Sequence, residues 1–271
     1  MKNSGKRYIS ALLALSFLVA ATPAQTGAAG SAKGSAAYGK TFEAAGSSAA
    51  AGRVRQGISQ ALRRAAERRR ANAAKSMTTA RVPAPKTNKP SRDIVSALPP
   101  PAASPTFFKP DPAADTIATL ANELGTTTEE RAILRELFNT TKTAFEEEVA
   151  AKGRRNNVAA AFTFFTAVNS MVYHGDPEPS DEAIDTLWDG LDSVFAEMPE
   201  FREMPDRDKQ AIYDTLIAFS GLVLAGYMHA KETGDAATEK LYREVAGTMI
   251  RSVLKTEPEA IRFGTDGLVI N

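Results

Sequence analysis

Two histidines, His174 and His229, are the side chains best suited to acid–base chemistry near neutral pH. Gly175 follows the first directly and Gly234 lies shortly after the second. Each imidazole is therefore expected at a helix end, meeting unpaired carbonyls and the negative end of the dipole rather than a substrate. Glu146, Glu147 and Glu148 are consecutive. Consecutive positions fan around a helix, so at most one is expected to face inward, and the run reads as a solvated face. Asp185, Asp189 and Asp192 share a helix face by their i, i+4 and i+3 spacing. Such carboxylates could bind a hard cation, but no loop carries an EF-hand pattern, and an acidic exterior is the simpler reading. Asn169 falls among apolar neighbours in mid-helix; a buried amide needs a partner, so it is expected to set helix register or to line a pocket. Trp188, Tyr173, Tyr213 and Tyr227 could frame a ligand, although aromatic residues at helical spacing are more simply core.

The composition narrows the chemistry further. The 271 residues include no cysteine and two histidines. A disulfide scaffold, a Cys-ligated metal and a thiol nucleophile are excluded, and a multi-His centre is not expected. No His-Glu-x-x-His, nucleophile elbow or phosphate-binding glycine loop occurs in the sequence. No catalytic residue, cofactor or metal ligand is assigned on these grounds.

The formal net charge of +1 hides a division. Residues 1–110 carry 18 Lys and Arg against 3 Asp and Glu, a net +15, while residues 111–271 carry 15 against 29, a net −14. Lys2, Lys6 and Arg7 precede a short apolar run from Ile9 to Ala21, and small residues follow. This is the pattern of a secretory signal peptide, expected over 1–24. The run is shorter than the roughly 20 residues needed to span a bilayer as a helix. Cleavage would release a periplasmic or extracellular chain with no transmembrane span.

Residues 25–106 hold only eight Leu, Ile, Val or Phe, too few to offset the entropy of ordering the chain. A disordered, basic, Pro-rich arm is expected there. Within it, residues 53–75 have Val54, Ile58 and Leu62 four positions apart, with Arg53, Arg55, Arg63, Arg64, Arg68, Arg69 and Arg70 around them. These seven arginines are the candidate contact with an anionic surface, on a basic segment with transient helix. Nucleic acid is a poor fit, because the segment has no interleaved aromatics to stack on bases.

Residues 107–271 read as an all-α domain, with helical periodicity from Asp111 onward. Asp111-Pro112 is expected to open the first helix, Gly125 to close it, and Thr126/Glu129 or Thr127/Glu130 to form a capping box for the second. A kink is expected near Asn139 to Thr141. Asn157, Ser180, Asp206 and Asp235 are the expected later caps, and Pro199 and Pro205 bracket a connector. The helix after Asn157 is apolar on nearly all sides and belongs in the middle of a bundle. From Leu216 to Met228 no charge occurs, and Gly221 and Gly226 would let neighbours approach closely. Glu257-Pro258 stops the last helix, and a tail with a Thr265-Asp266-Gly267 turn follows. No segment shows convincing strand alternation. The fold class is all-α, a bundle of about six or seven helices.

Thr106-Phe107-Phe108, the Asn156-Asn157-Val158-Ala159 helix start, the Asp208-Lys209-Gln210 run and the closing turn from Phe263 to Leu268 together resemble an uncharacterised bacterial family of exported helical proteins, a domain of unknown function. Phe162, Phe164 and Phe165 match that family's usual aromatic after the Asn cap. The resemblance covers 107–271 and none of the basic arm. It implies an all-α fold and carries over no site residue.

The expected function is a non-enzymatic binding or structural module whose arm contacts anionic envelope lipid or polysaccharide; in a variant, arm and acidic domain bind each other. A helical small-ligand binder or scaffold, and a hydrolytic enzyme with a site assembled from distant helices, are the alternatives.

Overall fold

A computed structural model describes residues 104–264 and 267–270. The signal segment 1–24, the seven arginines and the rest of the arm to residue 103 lie outside the described residues.

Seven α-helices make up most of the described chain: α1 Thr116–Leu124, α2 Thr128–Ala150, α3 Val158–His174, α4 Asp181–Glu197, α5 Pro199–Glu203, α6 Asp206–Thr233 and α7 Ala236–Leu254. A 3₁₀ turn, Pro258–Ala260, leads into β1 Ile261–Gly264 and β2 Gly267–Ile270. The fold is an all-α bundle. α3 and α6 form its axis: α6 packs most extensively on α3, and α7, α2 and α1 also lie against it. Every residue of α3 from Val158 to Val172 is buried, as expected of a helix without a polar face. α6 is long and apolar enough to cross a membrane, yet 78% of its apolar window is buried inside the bundle.

Local signals explain most of the boundaries. Thr127 and Glu130 form the reciprocal capping box. Asn157 accepts from Ala160 N and Ser180 from Ala183 N at the starts of α3 and α4. Gly175 closes α3 in the left-handed region at φ 69°. The two glycines of α6 are points of close approach: a Cβ on Gly221 would overlap Thr141 of α2, and one on Gly226 would overlap the Tyr242 ring of α7.

Four boundaries differ from the sequence reading. α1 begins at Thr116 with Asp115 as its cap, not at Asp111-Pro112. Asp111 is held in a turn outside the helix by Gln210, whose Oε1 accepts from Asp111 N at 2.7 Å and whose Nε2 donates to Asp111 O at 3.2 Å. α2 is continuous through Asn139 to Thr141; there the Thr141 hydroxyl donates to the Leu137 carbonyl at 2.9 Å and its side chain packs on Gly221. Pro205, not Asp206, is the cap of α6, and Asp206 sits in the first turn, where the dipole favours a carboxylate. The connector between the two prolines is itself the short α5, pinned by a fully buried Phe201 stacked on Phe195 at 4.4 Å.

The tail beyond the expected helix stop is a hairpin, where no strand was expected. β1 and β2 pair antiparallel, Ile261 with Ile270 through Gly264 with Gly267. Ile261 and Leu268 are buried while Arg262 is exposed. Arg262 makes a two-pronged pair with Asp176 at 2.9 Å and 2.9 Å, fixing the hairpin beside the end of α3.

Candidate functional site at the loop between α2 and α3

Residues 151–157 join the two helices, and this short loop gathers polar contacts from the entering segment and from α4. Two left-handed residues shape it, Gly153 at φ 68° and Asn156 at φ 56°. The Asn156 carbonyl accepts from Phe108 N at 3.0 Å, and Val158 N donates to Thr106 O at 3.0 Å. The entering segment 104–108 is thereby laid along the loop as a strap.

Asn157 is the centre of a knot beneath that strap. Its Oδ1 accepts from Ala160 N at 2.9 Å and from Trp188 Nε1 at 3.3 Å. Its Nδ2 donates to Thr106 Oγ1 at 2.9 Å and to Asp192 Oδ1 at 3.2 Å. Asp192 also accepts from Ser104 Oγ at 3.1 Å and from the Thr106 hydroxyl. Asn157 and Thr106 are fully buried. One side chain thus ties the strap, α3 and α4 together, with both its polar atoms satisfied.

On the other side of Trp188 lies a notch. Arg154, 9% exposed, stacks its guanidinium on the indole ring at 3.8 Å and donates from Nη1 to Asp185 at 2.6 Å. Lys152 Nζ reaches the same carboxylate oxygen at 2.7 Å. Burial pushes the Asp185 carboxyl up, but the bonds from Lys152 and Arg154 outweigh it and hold it below its ordinary value. Asp189 shifts the other way, raised by desolvation and then by Asp185 and Asp192. Arg154 Nε is buried and has no partner. The notch is walled by Phe145, Val149, Phe164, Ile184 and Trp188, with Arg154 and Glu148 as its charged residues.

A second polar cluster lies where α2 meets α6. Lys142 Nζ stands 2.7 Å from Asp214 Oδ1, whose side chain is 2% exposed; the pair is close without being aligned as a hydrogen bond. Desolvation raises Asp214, with Lys142 opposing. Glu146, one turn from Lys142, is also raised, chiefly by burial. Between them the Tyr213 hydroxyl is buried without a hydrogen-bond partner, and its phenol is pushed far up, first by burial and then by the Glu146 charge. Phe145 separates this cluster from the notch, touching Tyr213 at 5.8 Å and Phe164 at 5.0 Å.

The residues singled out in the sequence fall unevenly on this map. His174 does meet carbonyls, but those of Pro258 and Ile261 at 3.2 and 2.8 Å, so it staples α3 to the tail instead of closing its own helix. His229 is exposed on α6. The Glu146–Glu148 run is not wholly solvated: Glu147 is exposed, Glu146 joins the Lys142 cluster and Glu148 lines the notch. Asp185 and Asp192 are tied to cations and hydroxyls respectively, and no group of three or more potential ligands is placed to hold a metal among the described residues. Asn169 is fully buried, donates to the Phe165 carbonyl of its own helix at 2.8 Å, and leaves Oδ1 unpaired. Tyr173 bonds Glu259, and Tyr227 lies under Lys231 and Arg243. Trp188 alone of the four candidate aromatics borders the notch.

Arg154, Lys142 and Asp214 had no place in the sequence reading, and Thr106 entered it only as part of the Thr106-Phe107-Phe108 motif, with no contact assigned. A signal existed for one of them: Gln210, Asp214 and Gly221 recur at i, i+4 and i+11, one stripe of α6, and Gly221 marks that stripe as a close approach to α2. In the Asp208-Lys209-Gln210 run, Gln210 holds Asp111 and Lys209 is nearly buried, its ammonium pulled down by desolvation.

Comparison with protein families matches residues 7–271 to DUF6683, a family of unknown function. The chain belongs to that family. The match takes in the basic arm as well as the helical domain, a wider span than the 107–271 of the resemblance. Neither the comparison with curated proteins nor that with solved structures gives a match.

Proposed function

We propose that the protein is an exported, non-catalytic helical module, held by its basic amino-terminal arm against anionic envelope material such as lipid head groups or acidic polysaccharide. The observation that carries this reading is the opposition of charge across one fixed junction. Without residues 1–24 the chain to residue 110 carries 15 Lys and Arg against 3 Asp and Glu, a net +12, and the remainder a net −14. The chain enters the bundle through the strap at 104–108, which is bonded to Asn156, Asn157 and Asp192. Near an anionic surface the arm is drawn in while the acidic bundle is pushed away, so the molecule orients with its bundle outward. The positive residues at Lys2, Lys6 and Arg7 ahead of the apolar run support export.

Co-sedimentation of the chain from residue 25 with vesicles tests this. Binding is expected to phosphatidylglycerol vesicles and not to phosphatidylcholine, and it should weaken as salt screens the charges. Replacing Arg53, Arg55, Arg63, Arg64, Arg68, Arg69 and Arg70 by Gln should remove most of it. Equal binding by that variant, or salt-independent binding to both vesicle types, would reject the arm as the contact.

A further inference from the structure

The notch between α2, α3 and α4 is apolar within and acidic around. About 30 Å³ of it is enclosed, within an open hollow of about 420 Å³ walled mainly by Phe145, Val149, Phe164, Ile184 and Trp188. The enclosed part has room for about two water-sized groups, the size of the branched end of one aliphatic side chain. Arg154 and Lys152 stand beside it, but Arg154 is buried and both are tied to Asp185. With Glu148 on the wall and Asp189 on α4, three carboxylates surround those two cations. Asp189 is exposed and takes no hydrogen bond or ion pair among the described residues. Its carboxyl is raised by desolvation and, against Arg154, by Asp185 and Asp192, so an added cation is favoured there. The acidity extends along the chain, since residues 156–201 hold nine Asp and Glu and no Lys or Arg.

The amino-terminal arm meets the bundle at this place. Ser104 donates to Asp192 at 3.1 Å, one turn of α4 beyond Trp188. Trp188 gives its N–H to Asn157 in the knot and its ring to the notch. Residues 63–103, 41 in number, separate Leu62 from Ser104. As a flexible chain they span about 35 Å, against a radius of gyration of about 15 Å for a domain of this size. The basic segment 53–75 is therefore held near the notch at an effective concentration on the order of 1 mM.

We propose that residues 53–75 of the same chain dock on the notch, with Ile58 as the anchor inside it and the neighbouring arginines over Glu148, Asp185 and Asp189. Val54, Ile58 and Leu62 are spaced i, i+4 and i+8, the pattern of a helix that lays one apolar edge in a groove. On such a helix Arg55 falls to one side of the edge, and Arg53, Arg64 and Arg68 to the other. The apolar interior selects the edge and the carboxylates around it select the flanking charges. Docking also occupies the arginines, so the segment cannot lie on the bundle and on an anionic surface at once. The docking does not require that surface.

The chain has one tryptophan and no cysteine, so a nitroxide attached through Ser59→Cys reports docking by quenching Trp188 at short range. In the full chain, quenching should be strong at low salt and independent of protein concentration. It should be relieved at about 1 M salt, where screening sets in over about 3 Å. Adding Ile58→Asn, which keeps every arginine, should cut the low-salt quenching to less than about half, the effect of a roughly tenfold weaker contact at that effective concentration. Asp189→Lys should do the same from the other side of the contact; if that variant fails to fold in a circular dichroism melt, Ile58→Asn decides. Vesicle binding by Ile58→Asn is read separately, with all seven arginines intact, so failure of docking and failure of the envelope contact are told apart. Quenching that vanishes on dilution would put the arm of a second copy in the notch and overturn docking within one chain. No quenching at low salt, or quenching that neither substitution reduces, would overturn the notch as the docking site.

Discussion

Asn157 and Asn169 lie on the same helical element, one at its start and one in its middle, and both are fully buried. Their surroundings are opposite. Asn157 satisfies both its amide atoms and draws the strap, α3 and α4 into one knot. Asn169 turns its donor onto its own helix and leaves its acceptor unpaired in the core. Burial alone therefore says little about what a polar side chain contributes. What matters more is how many separate segments it joins, because a bond between distant segments fixes their relative placement as well as the local backbone. The same contrast recurs across Trp188, whose indole N–H belongs to the fully paired knot while Arg154, stacked on its ring, keeps an unpaired Nε. Paired groups that join segments specify the fold; an unpaired one such as the Asn169 Oδ1 does not.

The sharpest way to break this comparison is at the knot. Asn157→Ala removes the α3 cap, worth about 1 kcal/mol, and strips a partner from Thr106, Trp188 and Asp192, a further cost of about 2 kcal/mol. A total loss near 3 kcal/mol is expected in denaturant unfolding, together with freer proteolysis at the strap residues 104–108. A loss below about 1 kcal/mol would mean that the knot contributes only its cap.

The Lys142–Asp214 pair gives the next largest effect, and it depends on pH. Asp214 and Glu146 are both raised in the folded protein, so their charged forms are disfavoured there. Stability from these groups is fully present below their unfolded pKa values, about 4 for carboxylic acids, and is lost as pH rises through the raised folded values. Lys142 lowers both, so Lys142→Met raises them further and steepens that loss. The variant should be about 2 kcal/mol less stable than the parent at pH 8, given that the lysine is partly exposed, and nearly equal to it at pH 4. Asp185 and Asp176, held below their ordinary values, act in the opposite sense in both proteins and cancel in the difference. Chemical denaturation of the two chains at both pH values measures it. A deficit that does not shrink on acidification would show that Asp214 is not the group left unpaired.

The contrast also explains what the sequence could reveal. Signals that act within a few residues were legible: the Thr127/Glu130 box, the caps at Asn157, Ser180 and Asp235, the left-handed Gly175, and the all-round apolar α3 that had to be central. Contacts set by tertiary packing were not. Arg154 takes its role from Trp188 and Asp185, and Thr106 from Asp192, more than eighty positions away. Asp111-Pro112 had the local chemistry of a helix start, but Asp111 is held outside the helix by Gln210 on α6, and Asp115 is the cap. The hairpin escaped because each strand has four residues and a glycine at the turn end, too short for alternation to stand out. The reading of Asn157 as a cap was right about its oxygen and silent about its nitrogen, which makes the long-range bonds.

The smallest expected effect is the most informative about α3. Asn169→Leu keeps the approximate volume, removes a donor that serves only its own helix, and removes the unpaired Oδ1. The Phe165 carbonyl keeps its ordinary helical partner, so no new orphan is created. The change should lie within about 1 kcal/mol of zero, neutral or slightly stabilising, by thermal or urea unfolding. The same substitution at Asn157 should cost several times more. If Asn169→Leu were instead strongly destabilising, its Oδ1 would have a partner, such as an enclosed water, and the middle of α3 would belong with the knot.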